Sequence, residues 1–109
     1  MIDNIDIAVL NSVWLQAVKY QNRKVVMEHR FNVKNALKVF GLITERGEQV
    51  PEGYLHEGIM AKAEYDGYTV SMSDSRVTLY IYFHNKHKFE FERNEDLDRF
   101  INQLERLGQ

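Results

Sequence analysis

The apolar pattern of this chain changes period at its single proline, Pro51. Before that point apolar residues recur every three to four positions. From Tyr54 to Glu92 they alternate, and after Asn94 the helical period returns. A helical period of 3.6 and a strand period of 2 cannot be exchanged, so the order helices, sheet, helix specifies an α+β domain. Helices that bury one stripe each should cover the apolar face of the sheet, giving two layers.

Turn residues predict the sheet as a four-stranded antiparallel meander. Asp66-Gly67 is a hairpin signal, because the favoured two-residue turn needs positive φ at both central positions. Closure there sets Tyr65 opposite Tyr68, Ala63 opposite Val70 and Ala61 opposite Met72. Asp74-Ser75 closes the next hairpin, with Met72 opposite Val77, Val70 opposite Leu79 and Tyr68 opposite Ile81. A two-residue third turn would oppose Ile81 to Glu90. A three-residue turn, His84-Asn85-Lys86, instead sets Phe83 opposite His87, Ile81 opposite Phe89 and Leu79 opposite Phe91, which keeps apolar residues together. All three turns place Ala61, Ala63, Tyr65, Tyr68, Val70, Met72, Val77, Leu79, Ile81, Phe83, Phe89 and Phe91 on one inward face. The other face carries Lys62, Glu64, Thr69, Ser71, Thr78, Tyr80, Tyr82, Lys88 and Glu90.

Two N-terminal helices are expected. The first starts near Asp3 or Asn4 and runs to about Arg23, with Ser12, Gln16, Lys19 and Arg23 as a narrow polar stripe. Its apolar arc is about twice the ~100° that one packing partner covers. Ile7, Leu10, Trp14 and Val18 on that arc are the candidate contacts of a homodimer, since pairing about a two-fold axis is the commonest cover for such a surface. Residues 24–31 read either as continued helix or as an extended connector, with a helix end plus connector preferred. The second helix runs from Val33 to about Arg46, capped by Asn32 and stopped by Gly47, with Val33, Ala36, Leu37, Phe40 and Ile43 at helical spacing. Gly41 inside it costs ~1 kcal/mol relative to alanine, which points to a close backbone neighbour or a tolerated defect. The stretch Glu45–Gly53 reads as a loop. A C-terminal helix follows from an Asn94 cap to about Leu107, with Leu97, Phe100, Ile101 and Leu104 on its buried side and Gly108 at its end.

The 109 residues fit one domain. No apolar run reaches the ~20 residues of a membrane span, and the acidic start Met1–Asp6 does not resemble a signal peptide, so a cytoplasmic protein without membrane contact is expected. Without cysteine there is no disulfide framework, thiolate nucleophile or iron–sulfur cluster. Charge is uneven: residues 1–46 hold seven Lys/Arg against four Asp/Glu, and residues 47–109 hold seven against twelve. That split can steer an acidic partner or draw two copies together head to tail. The sequence pI near 6.1 is a poor footprint for nucleic-acid binding.

No constellation for catalysis or cofactor binding emerges. His84 and His87 should point to opposite faces of the sheet, and a closed zinc site wants four ligands. Ser71, Ser73 and Ser75 lack a nucleophile elbow, and no glycine-rich phosphate loop occurs. The candidate partner surface is the polar sheet face with Thr69, Thr78, Tyr80 and Tyr82. Aromatics on a sheet stack bases in several RNA-binding modules, but here Glu64, Glu90 and Glu92 would repel phosphates.

At Glu52-Gly53-Tyr54, Asp66-Gly67-Tyr68-Thr69-Val70 and Phe83-His84-Asn85-Lys86 the chain resembles a family of small uncharacterised bacterial proteins, a domain of unknown function. The resemblance covers residues 33–107 and implies a helix–sheet–helix unit in a bacterial cytoplasm, with residues 1–30 as a helical addition in front. It implies no activity, cofactor or catalytic residue. The expected function is a small non-enzymatic protein acting through protein–protein contacts, as a homodimeric regulator or adaptor. The alternative is a nucleic-acid-associated regulator using the basic N-terminal half.

Overall fold

A computed structural model describes residues 24–26, 31–82, 84 and 86–109. The expected first helix, with Ile7, Leu10, Trp14 and Val18, lies outside the described residues. One helix, not two, therefore precedes the meander among them.

That helix, α1 (Val33–Arg46), forms where the sequence places it. The Asn32 side chain accepts a hydrogen bond from the Asn35 amide at 3.1 Å, satisfying one orphan donor of the first turn. At the other end the Gly47 amide donates to the Ile43 carbonyl at 2.7 Å. Ala36, Val39 and Ile43 are fully buried, whereas Leu37 faces outward and is 38% exposed. Val39, not Leu37, completes the buried stripe.

The four-stranded sheet is overturned. Among the described residues seven antiparallel strands form one sheet: β1 (Lys24–Val26), β2 (Glu48–Val50), β3 (Gly53–His56), β4 (Ile59–Ala63), β5 (Val70–Ser73), β6 (Val77–Ile81) and β7 (His87–Phe91). The order β1-β7-β6-β5-β4-β3-β2 makes β2 to β7 a continuous meander, with β1 added beside β7. Residues 24–26 are thus a strand of the same sheet, not a connector or part of a separate helical addition.

The extra strands of the meander come from two tight turns. Pro51-Glu52 joins β2 to β3 with Val50 opposite Gly53, proline pre-setting φ for the second turn position. A side chain at Gly53 would collide with the Ala61 carbonyl, so glycine lets β3 lie against β4. Glu57-Gly58 joins β3 to β4 with φ of 49° and 81°, the two positive angles that a hairpin turn matched to strand twist requires. The expected loop at 45–53 is therefore a helix end, a strand and a turn.

The registers of the later hairpins slip by two residues. Met72 lies opposite Leu79 and Val70 opposite Ile81, because the Asp74 carboxylate accepts from the Arg76 and Val77 amides, both at 2.8 Å, and widens the turn. Leu79 lies opposite Phe89, Ile81 opposite His87 and Val77 opposite Phe91, with Tyr82 donating its amide to the Lys86 carbonyl. At the first hairpin the pairs Ala63–Val70 and Ala61–Met72 form as expected. Tyr65 and Tyr68 do not join the ladder and are exposed. Asp66 keeps a negative φ, and its carboxylate instead accepts from the Tyr68 and Thr69 amides, both at 2.9 Å. A slip of two leaves side-chain parity intact, so Ala61, Met72, Val77, Leu79, Ile81, Phe89 and Phe91 keep the core face, whereas Ala63, Tyr65 and Tyr68, expected on it, are exposed.

Helix α2 (Asn94–Leu107) starts one residue earlier than a capping Asn94 implies: Arg93 is the cap residue and its side chain makes no capping bond. Leu97, Phe100 and Leu104 are buried with Ala36, Val39 and Ile43 of α1 and with Ile59, Ala61, Met72, Val77, Leu79, Ile81, Phe89 and Phe91 of the sheet. Both described helices share this one core, on one face of the sheet. They also touch at Gly108, whose carbonyl accepts from Lys38 at 2.8 Å.

Candidate functional site

The face of the sheet opposite α1 and α2 holds an aromatic and charged cluster. Alternation along β6 turns Thr78 and Tyr80 to this face while Val77, Leu79 and Ile81 go to the core. The Tyr80 and Tyr82 rings lie 6.3 Å apart at 18°, a stacked pair. Tyr80 sits between Ser71 on β5 and Lys88 on β7 in the ladder. The Lys88 ammonium lies 5.1 Å from the centre of the Tyr80 ring, a cation–π contact.

The charges around the pair are of both signs. Partial burial, followed by the Glu90 and Glu64 carboxylates, raises the Tyr80 hydroxyl above its ordinary pKa. A hydrogen bond to Tyr82 favours the Lys88 ammonium and raises its pKa. Lys62 and Glu64 pair at 4.0 Å at the margin of the cluster. A phosphate backbone on this face would meet Glu64 and Glu90, whereas a protein surface of mixed charge meets complementary groups.

Of the four residues predicted for this surface, the structure brings three into the open part of the face. Thr78, Tyr80 and Tyr82 are half-buried. Thr69 is buried at 5% exposure, and its hydroxyl donates to Asp66 at 2.6 Å. It belongs to the β4–β5 turn. That hydroxyl, with the two backbone amides behind it, holds the Asp66 carboxyl below its ordinary pKa. Lys88 is the member that sequence reasoning missed. The expected register sets Tyr80 against Glu90, and the two-residue slip replaces that neighbour with Lys88.

A second charged group joins the β5–β6 turn to α2. Asp96, 6% exposed, accepts from Arg99 at 2.9 Å and lies 3.8 Å from Arg76. Arg99 also reaches Asp74 at 3.5 Å. Ser75, Arg76, Glu92 and Asp96 line a shallow polar depression here. Two guanidinium groups neutralise the buried carboxylate, which is how a structural clamp satisfies a buried charge. Among the described residues no three His, Cys, Asp or Glu side chains are grouped to hold a metal. His84 is exposed in the last hairpin loop, while the His87 ring packs on Phe31 at 5.0 Å. No described helix is long and apolar enough to cross a membrane.

No curated protein and no solved structure matches the chain. A family model does match, over residues 31–109, which takes in α1, β2 to β7 and α2. β1 and the predicted first helix fall outside the matched region, and Tyr80, Tyr82 and Lys88 fall inside it. With most of its length covered by that model, the chain belongs to the family described as proteins of unknown function, DUF3081.

Proposed function

We propose that this chain is a small non-enzymatic protein of the bacterial cytoplasm that acts through protein–protein contacts, as a homodimeric regulator or adaptor. The outer sheet face around Tyr80, Tyr82 and Lys88 takes the protein partner. The observation that carries this reading is the stacked tyrosine pair with an ammonium over one ring, on a face that α1 and α2 leave uncovered. Tyrosine supplies large contact area at low entropic cost and is enriched in the cores of protein interfaces. Nucleic acid is the less favoured partner because Glu64 and Glu90 flank the rings.

The test compares capture from a bacterial lysate on the immobilised full chain and on its Tyr80→Ser/Tyr82→Ser variant. A protein retained by the first and released by the second supports the reading, provided circular dichroism shows the variant folded. Equal retention by both overturns the assignment of the face. Retained DNA or RNA that elutes steeply with salt supports the nucleic-acid alternative instead, since phosphate contacts release counterions.

A further inference from the structure

Gly41 lies in the middle of α1, where glycine is disfavoured because its backbone gives up more freedom on folding than any other residue. Other glycines of the fold take a positive φ, as at Gly58 and Gly67, or make room for a neighbour. A methyl group at Gly53 would strike the Ala61 carbonyl, and one at Gly108 would strike the Asn35 side chain. Among the described residues an added methyl group at Gly41 meets nothing within 4 Å, and the position is exposed. The described residues give no steric reason for glycine there, and among them the residue leaves an open notch on the helix surface.

The surroundings of the notch are patterned. One turn before it stands Leu37, the large apolar side chain that α1 leaves exposed, at 38%. Lys34 and Glu45 are also exposed. Eleven residues apart, they lie on nearly the same line of the helix, about 20° around the axis and about 16 Å along it. Neither takes part in an ion pair among the described residues. Lys38, beside the notch, is engaged by the Gly108 carbonyl and drawn toward α2.

We propose that this stripe docks a second copy of the chain, α1 packing antiparallel on α1 about a two-fold axis. Leu37 of each protomer sits over Gly41 of the partner subunit, where the missing side chain lets the helices approach closely. Antiparallel pairing that matches position 37 with 41 brings position 34 beside 44 and 45. Lys34 of each protomer then meets Glu45 of the partner subunit. A stripe with a knob and a notch one turn apart, and opposite charges at its two ends, is complementary to itself under a two-fold rotation, which an isologous interface requires. This inference rests on the homodimeric part of the function proposed above, but places the contact on α1 instead of on Ile7, Leu10, Trp14 and Val18.

Light scattering after gel filtration of the full chain tests it. The expected mass is about 26 kDa, twice the 12.9 kDa of one chain. Gly41→Gln fills the notch and is a better helix former, so it should give a monomer. Compared at a dilution where both chains are monomeric, the variant should also melt at a higher temperature. Lys34→Glu should raise the dimer dissociation constant at least tenfold, and Glu45→Lys in the same chain should restore it. A concentration-independent mass of 12.9 kDa for the unaltered chain overturns the inference. A dimer that survives both Gly41→Gln and Lys34→Glu overturns it as well. If that surviving dimer is broken by Trp14→Asp, self-association stands and its assignment to α1 fails. The Tyr80→Ser/Tyr82→Ser variant should keep the dimer mass, so failure of the sheet-face reading is seen separately.

Discussion

Leu79 stands directly opposite Phe89 in the β6–β7 ladder, and both side chains are fully buried. Phe89 in turn meets the Phe100 ring of α2 edge-on at 6.5 Å, so the pair lies where the sheet and the C-terminal helix join. Leu79→Ala should cost about 2–5 kcal/mol, the lost transfer energy plus the cavity left behind. Thr78→Ala, on the neighbouring residue and the opposite face, should stay within about 1 kcal/mol. Urea unfolding of the two variants checks the assignment of faces, and comparable losses would contradict it.

The β4–β5 turn should weaken in acid. Its Asp66 carboxyl is held below the ordinary carboxylate range, first by the Thr69 hydroxyl and then by the Tyr68 and Thr69 amides. A depressed folded pKa contributes stability above the unfolded value, and that contribution is lost as pH falls through the folded one. Unfolding below about pH 4 should therefore be less sensitive to pH in Asp66→Ala than in the unaltered chain. NMR titration of the Asp66 carboxyl gives the direct measurement, with a midpoint below that of a model peptide expected.

Alkali should act on the outer face. Both Tyr80 and Lys88 have raised pKa values, Tyr80 chiefly from burial and Lys88 chiefly from its hydrogen bond to Tyr82. The unfolded chain then loses these protons first, so both groups make stability fall as pH rises through about 10 and above. Tyr80→Phe and Lys88→Met should each flatten that decline in thermal melts between pH 9 and about 11.

The clamp at Asp96 should hold the β5–β6 turn onto α2. Asp96→Ala removes a buried acceptor of charged hydrogen bonds, at a cost of about 1–3 kcal/mol. The loss stays below that of a fully buried ion pair because the Arg76 and Arg99 side chains are 57% and 53% exposed and water takes them back. A double-mutant cycle of Asp96→Ala with Arg99→Ala should return a coupling of about 0.5–3 kcal/mol.

Chelation should leave the melting temperature unchanged, given that the described carboxylates and imidazoles form no group able to hold a metal ion. One equivalent of zinc or manganese in purified protein, lost in His84→Ala/His87→Ala, would contradict this.

Parity and the β4–β5 register were legible in the sequence, and strand count and the two later registers were not. The inward residues Val70, Met72, Val77, Leu79, Ile81, Phe89 and Phe91 alternate strictly, so any pairing that buries them keeps the same face. The number of residues in each turn is set by side-chain acceptors. Asp66 and Asp74 both fold their carboxylates onto amides two and three positions ahead, and nothing in a dipeptide turn rule anticipates that widening. β2 and β3 are three and four residues long, too short for alternation to show, although Glu57-Gly58 and Pro51-Glu52-Gly53 carry turn chemistry that marks them. Among the described strands β1 pairs with β7 only, a long-range pairing that no local pattern encodes. Tyr80 and Tyr82 were recognisable as a surface pair, while Lys88 depended on the register.

The position of β1 bears on how the domain avoids sticking to itself. The region matched by the family model begins at residue 31, after β1, yet β1 is what occupies the free side of β7. A fragment beginning at residue 31 would turn β7 into an outermost strand, with a row of unsatisfied amides running past the Phe89 and Phe91 backbone. Such an edge is a template for another chain's strand, and here it would be five residues long beside apolar core. Three residues that look like a linker thus cover part of an edge open to strand pairing, and trimming them away would be expected to leave a domain prone to strand exchange.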